Sequence, residues 1–223
     1  KPSIDLEKLR DWKNGIIRHL TGGLKNMAKQ RNVKIVNGFG EFIDSNHLLV
    51  TDKNKKITRI NFSKAVIAVG SRPVKLPFLP DDHRIIDSTD SLNLASIPKN
   101  MLVIGGGIIG LEMATVYHAL GARITIVEML DRLMAGADRD LVRPFQNRIT
   151  KQYDNIWLET KVTKVEVLKK GLRVLFEGKN SPEKPQMFDS ILSSVGRVPN
   201  GLSIGAEKAG VEVDENGFIS TDS

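Results

Sequence analysis

The sequence predicts an α/β fold in which a doubly wound parallel sheet carries an inserted antiparallel β-meander. Three observations predict it. Short β-branched runs alternate with helical stretches between residues 100 and 160. A glycine-rich turn separates the first of those runs from the first helix. Two apolar/polar alternating runs, VTKVEVL and LRVLFEG, flank Gly171. Alternation of strand and helix implies parallel strands, because parallel neighbours need a long crossover connection. Strict period-two alternation around a glycine implies an antiparallel hairpin with one buried face.

The elements follow in chain order. Leu6, Leu9, Ile16, Leu20, Leu24 and Met27 recur at helical spacing, and Asp5 is placed to begin an amphipathic helix. Gly22-Gly23 lies inside it and costs about 1 kcal/mol per glycine, so either the helix breaks there or another group approaches its backbone. From Val33 to Phe62, four runs (VKIVNG, EFID, HLLVT and ITRINF) read as short antiparallel strands between Asn, Asp, Gly and Lys turns. Ala65 to Val69 reads as a continuous apolar strand buried on both faces and stopped by Gly70. The proline-rich stretch 71–97 reads as a linker between two domains, residues 1–97 and 98–220. Strands are then expected at 101–104, 123–127 and 156–159, helices near 107–120 and 138–152, and a last buried strand at SILSSVG.

Gly105-Gly106-Gly107-Ile108-Ile109-Gly110 fits G-x-G-x-x-G, which alone is a weak signal. Here it leaves a strand and opens a helix, and the next strand ends in Glu128, close to the spacing of about 20 residues expected of a ribose-binding acid. Gly105 permits the sharp turn, Gly107 clears space for a diphosphate at the helix N-terminus, and Gly110 permits close helix–strand packing. The domain therefore reads as Rossmann-like. Glu128 accepts hydrogen bonds from ribose hydroxyls and repels a 2′-phosphate, favouring NAD over NADP, with Arg132 nearby in sequence read as a solvated cation. Glu112, among apolar neighbours early in the helix, is a charge favourable near a helix N-terminus or a carboxylate beside the nicotinamide.

Composition narrows the function further. At 223 residues with 40% hydrophobic and 26% charged side chains, the chain is an ordinary soluble globular sequence. It contains no cysteine, so it has no disulfide framework and no Cys-ligated metal. Its four histidines lack ligand spacing, and no metal site is expected. The net charge of +7 comes from 33 basic residues interleaved with 26 acidic ones, and with two Trp and two Tyr no nucleic-acid platform is expected. No apolar window is long enough for a membrane span, and the first residue is Lys rather than Met, so the chain reads as an excerpt.

GGGIIGLEMATVYHALGARITIVEMLDRL, VIAVGSRPVKLPFLP and SSVGRVPN together resemble the flavoprotein disulfide reductases, that is, the FAD-dependent pyridine nucleotide-disulfide oxidoreductases. LTGGL, KVTKVEV and AGVEVDENGFI extend the likeness over nearly the whole chain, and it is strongest to the bacterial members that oxidise dihydrolipoamide. The resemblance implies that residues 1–97 are the later part of an FAD-binding domain and 98–220 an NAD-binding domain. For FAD it implies Gly40, Val69, Gly70 and Ser71. For NAD it implies Gly105, Gly106, Gly107, Ile108, Ile109 and Gly110 with Glu128, Val162, Ser194, Val195, Gly196 and Arg197, and Glu112 as a carboxylate on the flavin side.

Such enzymes pass electrons from dihydrolipoamide, carried on lipoyl domains of 2-oxo acid dehydrogenase complexes, through a redox disulfide and FAD to NAD. The resemblance further implies a cytoplasmic protein that is a homodimer at full length. The cysteine pair, its partner lysine and the His–Glu dyad of the family are absent from this sequence. Alternatives are a mercuric or glutathione reductase, a transhydrogenase, or a dinucleotide-binding module without chemistry. Glutathione reductases carry arginines where this chain has Glu128-Met129.

Overall fold

The computed structural model describes residues 3–222. Helix α1 (Leu6–Gln30) precedes strands β1 (Phe39–Asp44), β2 (His47–Thr51) and β3 (Ile57–Asn61). Short strands β4 (Ser71–Pro73) and β5 (Ile85–Asp87) lead to α2 (Ser88–Ser91). Then come β6 (Asn100–Ile104), α3 (Ile108–Ala119), β7 (Arg123–Val127), α4 (Arg139–Ile149) and β8 (Asn155–Trp157). Strands β9 (Thr160–Leu168), β10 (Gly171–Gly178), β11 (Gln186–Phe188), β12 (Ser190–Ser193) and β13 (Arg197–Pro199) follow. Two 3-10 turns, Gly201–Ser203 and Ala206–Ala209, come last. The described chain forms two compact units, residues 3–10 with 73–196, and residues 11–72 with 197–222.

In the first unit β5-β12-β6-β7-β8 form a five-stranded sheet, parallel at every pairing. Its central strands β6, β7 and β12 are buried on both faces, and their period of two divides each between two cores. Met101 and Val103 of β6 face α3 and α4, packing with Leu111, Tyr117 and Ile149. Leu102 and Ile104 of the same strand face the antiparallel β11-β10-β9 meander, packing with Val165, Leu172 and Val174. Ile191 and Leu192 of β12 divide the same way. The parallel sheet with its meander is therefore the expected architecture, and β7 occupies the expected residues.

The second unit carries the antiparallel sheet β1-β2-β3. Phe42, Ile204 and Ala206 are its buried apolar centre, with Phe62 edge-on to Phe42 at 5.8 Å. The Phe42 N–H donates to Ile204 O at 2.8 Å, tying the sheet to the segment after β13.

Four expectations differ from what is found. Residues 65–69 form no strand and are largely exposed, Val66 at 93%. Apolar β-branched sequence makes a buried strand only where neighbouring strands supply hydrogen bonds and cover, and none of the described residues does so here. Residues 33–38 likewise form no strand. Gly22-Gly23 neither breaks α1 nor meets a neighbour, since a Cβ at either would touch nothing within 4 Å. No residue of α1 is buried although Asp5 caps it as expected, accepting from the Glu7 and Lys8 N–H groups at 3.1 Å. Finally, 71–97 is not simply a linker. Ile85 and Ile86 face the two cores in turn as the edge strand β5, and residues 73–97 fall in the same unit as the five-stranded sheet.

Arg84 anchors that edge. Its Nε and Nη2 donate to the two Asp82 carboxylate oxygens at 2.8 and 2.9 Å, its Nη1 donates to Leu168 O at 3.1 Å, and its carbonyl accepts from Ser190 Oγ at 2.7 Å. Hydrogen bonds from Arg84 hold the Asp82 carboxyl well below the usual carboxylate range, against the opposing effect of burial. A lowered folded-state pKa gives stability that is complete above the unfolded value of about 4 and is lost as pH falls below it. Thermal melts of Asp82→Asn are expected to show a lower Tm than the parent at neutral pH and a difference that shrinks progressively below about pH 4.

Candidate functional site

The glycine turn leaves β6 and starts α3, and its four glycines answer to different constraints. Gly105 has φ +105°, which favours glycine, and a Cβ there would lie 2.6 Å from Ser194 O. At Gly106 a Cβ would meet Leu133 Cδ2 at 2.5 Å and Glu128 Cβ at 3.2 Å. At Gly110 it would meet Gly105 O at 2.4 Å and Ser194 Oγ at 2.5 Å, so α3 crosses the strand ends at a distance only glycine permits. Gly107 stands apart. Its φ is −77°, and a Cβ there would meet nothing within 4 Å. Neither folding nor packing of the described residues requires a glycine at 107.

Gly107 is also the N-cap of α3, and no side chain caps it. The first turn of a helix leaves its N–H groups without intrahelical acceptors, and together with the helix dipole they favour an anion. Beside this turn Glu128 ends β7. Its Oε2 accepts the Gly106 N–H at 2.7 Å and its Oε1 accepts the Leu130 N–H at 2.9 Å. These charge-assisted bonds fix the carboxylate against the turn. A carboxylate has about four lone-pair sites, so capacity remains for further donors such as a pair of hydroxyls.

Ser194 follows β12 and closes the other side. Its N–H and Oγ both donate to Ile104 O, at 2.8 and 3.0 Å. Val195 is 40% exposed beside it, and Gly196, at φ +138°, accepts the Val74 N–H through its carbonyl at 3.1 Å. The sheet order places β12 and β7 on opposite sides of β6, so the chain reverses direction across the sheet at the carboxyl end of β6, where α/β folds bind ligands.

The remaining expected positions scatter. Val162 is buried in the meander-side core, paired with Phe176 across β9–β10. Glu112 is exposed on α3 and, with Ile108, Leu111 and Phe145, lines a mostly apolar cavity of about 470 Å³. In the second unit, Arg197 Nε donates to Ser71 Oγ at 2.7 Å. Gly40 and Val69 line one cavity of about 350 Å³ together with Phe42, Leu48 and Ile67. Gly70, at φ +66°, has open space where a Cβ would lie.

Two further residues shape these sites, and no sequence pattern singles them out for that role. Asn200 donates through Nδ2 to Val69 O at 2.9 Å and through its backbone to Gly70 O at 3.0 Å, holding the Val69–Gly70 segment. It ends the quoted run SSVGRVPN, which marked it as part of the motif but not its partner. Leu133 fills the space beside Gly106, and no local sequence pattern signals so distant a contact.

The sequence matches the pyridine nucleotide-disulphide oxidoreductase family over residues 2–223. It is 49% identical over 223 residues to a dihydrolipoyl dehydrogenase of Vibrio parahaemolyticus and 51% identical to one of Vibrio cholerae. In each case the match covers the whole of this chain and 46% of the relative, so the chain spans about half the length of these curated relatives. Among solved structures, the Cu(II) complex of the HOCl-induced flavoprotein disulfide reductase RclA from Escherichia coli superposes with a TM-score of 0.86 at 27% identity, covering 96% of this chain and 48% of that one. LpdA from Mycobacterium tuberculosis shares the fold, with a TM-score of 0.87 at 20% identity, over 99% of this chain and 49% of that one.

The glycine geometry separates folding from binding. Gly110→Ala drives a Cβ into backbone and is expected to cost about 2–3 kcal/mol or prevent folding. Gly107→Ala is expected to stay within about 0.5 kcal/mol of the parent. Denaturant titrations of the two variants check both.

Proposed function

Because the chain belongs to the pyridine nucleotide-disulphide oxidoreductase family, we propose that it forms the NAD platform and part of the FAD cradle of a dihydrolipoamide-oxidising flavoenzyme. The observation that carries this reading is the uncapped N-terminus of α3 at Gly107, with Glu128 pinned beside it. A diphosphate fits there because the groups that meet it are backbone N–H donors with no side chain in front of them.

In this reading the N–H groups of Gly107, Ile108 and Ile109 hold the diphosphate. Gly105, Gly106 and Gly110 shape the turn that presents them. Glu128 accepts the adenosine ribose hydroxyls, and its charge excludes a 2′-phosphate, selecting NAD. Ser194, Val195, Gly196 and Arg197 border the nicotinamide end, with Glu112 as the flavin-side carboxylate. Val162, whose side chain is buried, contributes only through its backbone. For FAD, Gly40, Val69, Gly70 and Ser71 are the contact positions. Gly40 and Val69 fit because they line one cavity, where a side chain at 40 would crowd Leu48 Cδ2 at 3.3 Å.

When bound, the flavin carries an electron pair between a substrate dithiol and the nicotinamide. This chain's residues bind and orient the two cofactors. With no cysteine of its own, it relies on the remainder of the protein for the redox disulfide, its lysine and the His–Glu dyad. We assign the substrate as dihydrolipoamide on lipoyl domains of a 2-oxo acid dehydrogenase complex, and the whole enzyme as a cytoplasmic homodimer.

Two outcomes test the proposal. Glu128→Gln keeps an acceptor for the Gly106 N–H but loses the charge. NADH fluorescence titration is expected to show about tenfold weaker binding and a narrower preference over NADPH. The isolated 223-residue chain is expected to give no lipoamide-dependent NADH formation, and robust turnover would refute the division of labour.

A further inference from the structure

A third cavity, of about 390 Å³, lies at the carboxyl ends of β5 and β12 and is lined by residues the dinucleotide reading does not use. Its apolar walls are Val74, Leu76, Leu79 and Ile85. Its polar lining is Ser193, Asp87, Asp90, Asp81 and Lys75. We propose that this cavity binds a small organic ammonium ion, held by the Ser193 hydroxyl and the Asp87 and Asp90 carboxylates.

Ser193 is the observation that points to a ligand. It is only 7% exposed, yet its Oγ is buried with no hydrogen-bond partner among the described residues. A buried hydroxyl left unpaired is costly, and such groups in native proteins call for an explanation. Ser193 is register partner to Asp87 in the parallel β12–β5 pair, so the hydroxyl and that carboxylate stand on adjacent strands at the same level.

The two carboxylates are only partly committed. Asp87 Oδ1 caps α2 by accepting the Thr89 and Asp90 N–H groups at 2.7 and 3.0 Å, while Asp90 Oδ2 accepts the Asp87 N–H at 3.3 Å. The capping bonds fall on Asp87 Oδ1 and Asp90 Oδ2, which leaves Asp87 Oδ2 and Asp90 Oδ1 as further acceptors on residues of the same lining as Ser193.

Charge and geometry select the ligand class. Three carboxylates against one ammonium in the lining favour a cation. No three His, Cys, Asp or Glu side chains among the described residues converge closely enough to hold a metal, which disfavours a bare divalent ion. An alkylammonium donates three N–H bonds and accepts none, matching two carboxylate oxygens and a hydroxyl oxygen, while its carbon chain meets the apolar wall.

The test is an amide NMR titration of the chain with n-butylammonium chloride, n-butanol and magnesium chloride in parallel. n-Butylammonium is expected to give saturable shifts at Asp87, Asp90, Ser193 and residues 74–79, and the other two much weaker ones. Ser193→Ala removes an unpaired group and so keeps the fold. It is expected to weaken n-butylammonium binding roughly tenfold, and Asp90→Asn to do the same. Equal responses to n-butanol, no saturable response, shifts centred on Gly105–Gly110, or unchanged affinity in both variants would each overturn the proposal.

Discussion

The turn after β6 must pass Ser194 and Glu128 with no side chain between them, and the rest of the site is built on that crossing. Gly105 and Gly110 admit Ser194 from one side, and Gly106 admits Leu133 and Glu128 from the other. The Glu128 carboxylate then closes onto the Gly106 N–H. These contacts aim the first turn of α3 outward while leaving Gly107 bare. Three glycines thus answer to packing, and the fourth has no packing reason among the described residues. Its bareness is what joins the local fold to a ligand.

The sheet beneath supplies rigidity to that arrangement. Each central strand sends alternate residues into a helix-side core and a meander-side core, so β6, β7 and β12 are clamped from both faces. Strand ends held this firmly can place backbone N–H groups and a carboxylate without help from flexible loops. The edge is held differently. Asp82 and Arg84 fix β5 through paired hydrogen bonds, so the edge of the sheet is an electrostatic construction while its centre is a hydrophobic one.

What could be read from the sequence divides along the same line. The glycine turn, the strand ending in Glu128 and the hairpin around Gly171 were legible because each is a local pattern with a local cause. The β5 edge was not, because the four prolines from Pro73 through Pro98 conceal an Ile85-Ile86 pair whose meaning depends on two distant cores. Residues 65–69 misled for the opposite reason. Their apolar run has the look of a buried strand, but burial depends on neighbours that the described residues do not provide. The unpaired Ser193 hydroxyl lay beyond any sequence pattern, since an absent partner is visible only in three dimensions.

The central claim is that a dinucleotide's diphosphate rests on the bare first turn of α3. Amide NMR on the labelled chain during titration with NADH tests it most directly. The account predicts saturable shifts concentrated at Gly106 to Ile109 and at Glu128. Binding that leaves those amides unmoved, or no binding at millimolar NADH, would contradict it.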